Sequence, residues 1–287
     1  MRYSFIKDNS GQFPTRSMCE ALRVSPSGYY HWRNRPRSAR ALRHDLILAE
    51  IKRVHAGKDG IYGYRRVYEQ LLADGVDCSQ SAVYYLMRKN RIRARKKHRF
   101  VVTTDSKHCL PISPNLLGRD FDVTGPNQCW VGDITYIPTD EGWLYLSTVI
   151  DLFNRGVVGW SMSERINKCL VIDAQKMAIC ARRPGPGLIM HTDRGSQYAS
   201  RNFRRLLKAN RMLSSMSNKG DPWDNAVAES FFKSMKMERT YWRNYRTRDE
   251  ARRDIFQYIE VFYNRVRLHS TLGYRSPMQF ELAALAA

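Results

Sequence analysis

A chain of 287 residues, 43% hydrophobic and 11% aromatic, is long enough for roughly two domains and apolar enough to bury a core, which excludes wholesale disorder. Lys and Arg number 48 against 27 Asp and Glu, for a formal net charge of +21. No run approaches the ~18–20 apolar residues of a membrane span and no apolar signal region opens the chain, so the expectation is a soluble, strongly basic, intracellular protein.

The charge is unevenly spread. Residues 1–110 carry a net +14 and residues 111–287 a net +7, which suggests a nucleic-acid-binding half joined to a half with different work. Six cysteines, Cys19, Cys78, Cys109, Cys129, Cys169 and Cys180, lack the paired spacing of a zinc site, and His108 beside Cys109 is the nearest approach to one. They read as reduced thiols, mostly buried.

In chain order, the first predicted element is a helix from Thr15 with apolar Met18, Ala21 and Leu22, stopping near Val24. Ser25-Pro26 restarts a helix, because Ser satisfies orphan N–H groups and Pro suits the first turn. Two short helices around a tight turn read as a helix-turn-helix or an ordinary helical hairpin. His44–His55 is amphipathic, with Leu46, Ile47, Ile51 and Val54 on one face. Tyr64–Ala73 sets Val67, Leu71 and Leu72 at helical spacing and ends at Asp74-Gly75. Ser79 caps Gln80–Lys89, in which Val83, Leu86 and Met87 face inward. This third helix would be the recognition helix of a DNA-reading unit. The basic residues Arg88, Lys89, Arg91, Arg93, Arg95, Lys96 and Lys97 are candidate phosphate contacts, and 96–124, basic and then proline-bearing, reads as a linker that neutralises phosphates without reading sequence.

From Asn127 the pattern changes to strands. Trp130–Pro138, Trp143–Asp151 and Gly156–Met162 read as a three-stranded antiparallel meander. A helix at Lys168–Arg182, a strand at Leu188–His191, a helix at Ser200–Asn210, a short strand near Met212–Met216 and a helix from about Asp224 to Thr240 follow. The class is therefore α/β, a mixed five-stranded sheet with helices, preceded by all-α modules. A last helix, Asp249–Asn264, carries Ile255, Tyr258, Ile259 and Phe262. The domains read as 1–38, 39–95, the linker 96–124, and 125–287.

Three acids stand where this layout converges. Asp133 lies in an apolar strand, where a charge is costly unless it binds something. Asp193 follows the buried strand LIMHT, at a strand's carboxyl end. Glu229 sits in a helix beside Ala226, Val227, Ala228 and Phe231, with 35 residues between it and Asp193. Carboxylates in such a set can hold two hard divalent cations roughly 3.5–4 Å apart, the arrangement phosphoryl transfer uses. Singly, each acid also fits a turn or a surface pair, such as Glu229 with Lys233. Asp151 reads as a turn cap, Asp221 and Asp224 as loop and cap residues, and Asn225 as ordering its turn. His191, two positions before Asp193, could contact DNA or be a satisfied core histidine, and Trp223 could stack on an unpaired base or anchor packing. Lys236 returns to within ~20° of Glu229 around the helix and Lys233 lies ~40° to the other side, so both are candidate DNA contacts.

WVGDITY around Asp133, HTDRGSQY around Asp193, DNAVAESFFKSMK around Glu229 and the tail YNRVRLHSTLGYRSPMQF at 263–280 resemble the second-reading-frame transposases of insertion-sequence family three. The final gap matches the D,D(35)E spacing shared with retroviral integrases, and residues 43–90 resemble the helix-turn-helix before the family's core. The resemblance covers nearly the whole chain. It implies a ribonuclease H-like core, two Mg²⁺ (Mn²⁺ substituting) at Asp133, Asp193 and Glu229, and transposition by 3′-end cleavage and strand transfer through a copied-out circle. It further implies terminal inverted repeats and target DNA as substrates and a dimer or larger assembly on DNA. The family's first-reading-frame product, a helix-turn-helix with a leucine zipper, is implied as fusion or partner, and the bacterial cytoplasm and nucleoid as the location. Tyr263, Asn264, Arg267 and His269 could brace the last helix or touch DNA.

Overall fold

Short polar residues at helix starts and left-handed residues at helix ends punctuate the N-terminal half. The computed structural model describes residues 1–95, 111–118, 123–218 and 225–286, so Lys96, Lys97, His108, Cys109, Asp221, Trp223 and Asp224 lie outside the described residues. Two compact units form, Met1–Arg93 and Ala94–Ala287.

In the first unit, α1 (Arg2–Asp8), α2 (Thr15–Ala21) and α3 (Pro26–Asn34) bury Ile6, Met18, Cys19 and Tyr29 together. The Ser25 side chain accepts from the Gly28 N–H, as the sequence predicts, whereas α1 carried no strong periodic signal and was not anticipated. Next come α4 (Ala39–Gly57), α5 (Tyr64–Ala73) and α6 (Gln80–Lys89). Both α5 and α6 have the bounds their caps and apolar spacing predict. Ile47, Ile51, Val54, Val67, Leu71, Val83, Leu86 and Met87 are buried. Leu46 and Leu72 are not: both are exposed, because neither faces a neighbouring helix, and the apolar stripes are wider than the contacts they make. Among the described residues no helix is long and apolar enough to cross a membrane.

In the second unit, β1 (Cys129–Thr139), β2 (Gly142–Asp151) and β3 (Val157–Ser163) form the antiparallel meander, and β4 (Ile189–Thr192) and β5 (Leu213–Met216) run parallel to β1. The order β3-β2-β1-β4-β5 is that of a ribonuclease H-like sheet. The helix α7 (Lys168–Arg182), capped by Asn167, and α8 (Arg201–Ala209), capped by Ser200, pack with Trp130, Val149, Met190 and Met216 into one apolar cluster. The other cluster joins Val131, Ile137, Leu144, Leu146 and Ile150 to α9 (Ala226–Glu238) and α10 (Arg248–Phe256). Gly159 allows α7 to lie close to β3: a Cβ there would stand 2.3 Å from the Ala174 carbonyl oxygen and 2.6 Å from the Ala178 nitrogen. Residues 111–118, part of the expected linker, run beside β5. The Leu116 N–H donates to Ser215 Oγ, the Met216 N–H donates to the Pro114 carbonyl, and Leu117 enters the core.

The final helix departs from expectation. α10 stops at Phe256 and continues as a π-helical stretch, Gln257–Tyr263, and a further helix, α11 (Pro277–Leu285), follows behind a capping box of Ser276 and Gln279. The tail residues left open by sequence are braces. Asn264 accepts from the Val157 N–H and donates to the Val157 carbonyl, both at 2.9 Å, and the Tyr263 hydroxyl donates to the Arg155 carbonyl. Buried Arg267 grips Glu238, at the end of α9, through two N–H···O bonds of 2.8 and 2.7 Å, and His269 packs edge-on against Tyr263. Arg267→Ala would leave the largely buried Glu238 without this cation and would empty the buried Arg267 site, so a loss of about 3–5 kcal/mol is expected in denaturant unfolding. A loss below about 1 kcal/mol would show that the pair does not hold α9.

Five described cysteines are free thiols, with Cys19, Cys78 and Cys129 buried and Cys169 and Cys180 at the surface, so burial is less general than expected. Burial pushes the Cys129 thiol up to about 12.

Candidate active site

Strand register brings the two aspartates together. In the parallel β1–β4 ladder Gly132 pairs with Thr192, so Asp133 and Asp193 are the next residues along two neighbouring strands. Asp193 folds back at the strand end, its Oδ1 accepting from the Gly195 N–H at 3.0 Å. Asp133 Oδ1 accepts from the Ile134 N–H at 2.7 Å. Glu229 arrives on α9, whose Ala228, Phe231, Phe232 and Met235 are buried in the core cluster, which leaves Glu229 on the exposed side. Asn225, at the start of α9, is buried and its amide donates to the Gly132 carbonyl at 3.3 Å, which ties α9 to β1 beside Asp133.

The electrostatics tie these side chains to one place. Burial, then Asp193, then Glu229 raise the Asp133 carboxyl well above the ordinary carboxylate range, while the Ile134 N–H and Lys236 pull it back. Partial desolvation raises Glu229 as well. Burial lowers the half-buried Lys236, and Asp133 opposes that shift. The Lys236 ammonium stands 4.6 Å from the centre of the Tyr136 ring, a cation–π contact that fixes it beside the site. Lys233 is exposed, and among the described residues no ion pair joins it to Glu229.

Two further residues were not singled out from sequence. Tyr136 holds Lys236, and its signal was only its place in WVGDITY. Tyr198, within HTDRGSQY, is buried below the aspartates, and burial together with Asp133 and Asp193 raises its hydroxyl. Of the two readings open for His191, the geometry is that of a core histidine and not of the candidate DNA contact. It is fully buried, with Nδ1 2.8 Å from Ser215 Oγ and Nε2 3.2 Å from Ser217 Oγ, so both ring nitrogens are engaged within the fold. Asp151 is a turn cap, accepting from the Asn127 and Phe153 N–H groups.

The basic residues at the end of α6 and after it fall in both units. Arg88, Lys89, Arg91, Arg93 and Arg95 are all exposed; Lys89 lies 5.8 Å from the centre of the Tyr85 ring, and Arg95 5.7 Å from that of Trp242.

Carboxylates supply the hard oxygen donors that suit a divalent cation of the Mg²⁺ or Mn²⁺ kind. As placed, no three His, Cys, Asp or Glu among the described residues stand close enough to hold a metal ion, so the triad must draw together to do so. Like charges resist that approach, and a cation between them is what would permit it.

The family description "Integrase core domain" matches residues 123–222, a second of the same description matches 210–277, and "HTH-like domain" matches 43–100. The chain is 42% identical over 292 residues to Transposase InsF for insertion sequence IS3A of Escherichia coli (strain K12), covering 100% of both. It is 41% identical over 263 residues to the insertion element IS600 uncharacterized 31 kDa protein of Shigella sonnei, covering 92% of this chain and 97% of that one. Among solved structures, a chain of the simian T-cell lymphotropic virus intasome in complex with PP2A regulatory subunit B56 gamma aligns with TM-score 0.47 and 14% identity, over 80% of this chain and 74% of that one.

Proposed function

Because the chain belongs to the transposases of insertion-sequence family three, polynucleotidyl transferases with an integrase core, we propose that it cleaves the 3′ ends of its element and joins them to DNA at the Asp133–Asp193–Glu229 site. One observation carries this reading: the β1–β4 register sets Asp133 beside Asp193, and α9 brings Glu229 and Lys236 near enough to act electrostatically on Asp133. Two divalent cations held by these acids would polarise the scissile phosphodiester and stabilise charge on the entering and leaving oxygens.

The chain's own groups supply positioning. Asp133 is paired to β2 and Asp193 stands directly after the last β1–β4 pair, so the backbone that carries both is anchored in the sheet. Lys236 presents a cation to the DNA terminus beside the scissile phosphate, and Tyr136 keeps it from swinging into solvent. Water and then a DNA 3′-OH are the nucleophiles, and neither step forms a bond to the protein. Within this reading 1–38 and 39–95 bind DNA, 96–124 tracks phosphates and 125–287 carries the chemistry. The protein works as a dimer or larger assembly on terminal repeats and target DNA, through a copied-out circle, with the first-reading-frame product as partner or fusion, on the bacterial nucleoid.

Incubation of the protein with terminal-repeat DNA and Mg²⁺ or Mn²⁺ tests the reading. Joined products support it. Cut products alone would make the protein a nuclease, and bound DNA alone a silent regulator that occupies element ends.

Lys236→Ala is expected to lower the joining rate at least about tenfold, ~1.4 kcal/mol of transition-state stabilisation, with bulk DNA affinity only modestly reduced. Lys233→Ala should do less, because Lys233 is exposed on the neighbouring stripe. Equal, near-wild-type rates for the two variants on one terminal DNA would remove Lys236 from the site.

A further inference from the structure

Helices α3 and α6 are one device built twice. The helix before each ends on a left-handed residue, Arg23 (φ 51°) after α2 and Gly75 (φ 78°) after α5. The closing hydrogen bonds correspond one for one. Arg23 N–H donates to the Glu20 carbonyl at 3.0 Å as Gly75 N–H does to Leu72, and Val24 N–H donates to Cys19 at 2.9 Å as Val76 does to Leu71. These are the paired bonds of a helix end that turns the chain sharply. The next helix then starts on a serine, Ser25 or Ser79, whose side chain accepts from the N–H three residues on, Gly28 or Ala82, at 3.2 Å in both. Four residues after each serine a fully buried side chain, Tyr29 or Val83, fixes which face turns inward. A leading helix supports each pair, α1 behind α3 and α4 behind α6. The second turn is longer by two residues, Asp77 and Cys78.

The outward faces correspond as well. At two, five, six and nine residues past the serine, α3 exposes Ser27, Tyr30, His31 and Asn34, and α6 exposes Ser81, Tyr84, Tyr85 and Arg88. Those offsets form one stripe along a helix. Each stripe carries hydroxyl, imidazole, amide or guanidinium groups, which can hydrogen-bond base edges, and neither helix contains a carboxylate to repel phosphates. Exposed cations flank both, Arg33 and Arg35 at α3 and Lys89 and Arg91 at α6. Stacking of Tyr3 on Trp32 and Tyr29 seats α3 on α1, so the stripe is held on a rigid element. The matched "HTH-like domain" spans 43–100 and so includes α6 but not α3.

We infer that α3 is a second duplex-reading helix, which enters a major groove and meets base edges with Ser27, Tyr30, His31 and Asn34, so that one chain recognises a DNA sequence in two blocks. This rests on the reading of α6 as the recognition helix of the adjacent module.

Selection from a randomised duplex DNA library with the full-length protein tests it. The wild-type chain should enrich sequences with two fixed blocks. The triple variant Tyr30→Ala, His31→Ala, Asn34→Ala should erase one block and weaken binding to the wild-type-selected duplex about tenfold or more, while the salt slope changes by less than about one. Tyr84→Ala, Tyr85→Ala, Arg88→Ala should erase the other. All six side chains are exposed, and circular dichroism with thermal melting checks that the variants fold. A gentler pair, His31→Gln and Asn34→Gln, should change the preferred bases of the first block rather than remove it. A single block that only the α6 variant erases, or unchanged selection and affinity for the α3 variants, overturns the inference and leaves DNA reading by α6 intact. Enrichment of no duplex by the wild-type chain defeats the reading of α6 and the inference together.

Discussion

Asp133→Asn, Asp193→Asn and Glu229→Gln are each expected to abolish cleavage and joining, by at least ~10³-fold or ~4 kcal/mol, while affinity for terminal DNA stays near that of the wild-type chain. The split follows from what the carboxylates face. They repel phosphate and one another, so none contributes favourably to binding DNA directly, and removing a charge costs only the chemistry that the charge organises. Asp133→Asn carries a second expected result of opposite sign. In the folded chain the Asp133 carboxyl is raised, by burial first and then by Asp193 and Glu229, so the fold favours its protonated form. That contribution is fully present below the ordinary carboxylate value and is lost as pH rises through the higher folded value. The ionised form of Asp133 therefore destabilises the catalytic unit, and Asp133→Asn should melt higher than wild type by a few degrees near pH 8, with the gap closing toward pH 4. Loss of activity accompanied by a lower melting temperature at pH 8 would mean that Asp133 is structural, and normal joining in any one of the three variants would remove that residue from the triad.

Most of the elements were legible because their signals are local. The bounds of α5 and α6 follow from the Asp74-Gly75 end signal, the Ser79 cap and apolar spacing, all within a few residues of the helix itself. The two aspartates could be picked out as candidates for a related reason: Asp193 follows a strand's carboxyl end, and Asp133 is a carboxylate inside an apolar strand, both of which can be read from the strand alone. What remained hidden depends on partners distant in sequence. Alternation puts His191 and Asp193 on one side of β4, yet only the position of β5 shows that Ser215 and Ser217 hold both ring nitrogens. Apolar period could not separate Ile47, which meets a neighbour, from Leu46, which does not. The π-helical stretch of 257–263 is matched by bonds that the folded chain alone supplies: Tyr258 hydroxyl to Glu238, Trp160 indole N–H to Glu260, and Tyr263 hydroxyl to the Arg155 carbonyl. By contrast α11 had a readable start, because Ser276, Pro277 and Gln279 form a capping box in sequence as well as in space.

Affinity for duplex DNA is expected to fall about a thousandfold between 50 and 200 mM salt, carried mainly by residues 1–110. Each phosphate that a Lys or Arg neutralises releases counterions and adds about −0.9 to the slope of log affinity against log salt, so six contacts give a slope near −5.4. The first unit can supply that number even after its internal pairs are set aside. Arg37 is paired with Asp45, Arg43 with Asp77, and Arg53 with both Glu50 and Asp74. Lys89, Arg91 and Arg93 are exposed at the end of and just after α6, where they adjoin the stripe of Ser81, Tyr84, Tyr85 and Arg88. Replacing Lys89, Arg91 and Arg93 together by Gln should then flatten the slope by about 2.7 and weaken binding most at low salt, with little effect on the melting temperature because none of the three is buried. Arg53→Gln is the control: its guanidinium already serves Asp74 and Glu50, and losing it should cost stability before it changes the slope. Titration of fluorescent duplex at four salt concentrations reads both quantities. A wild-type slope shallower than about −2, or a triple variant with an unchanged slope, would move the electrostatic footprint away from α6 and into the second unit.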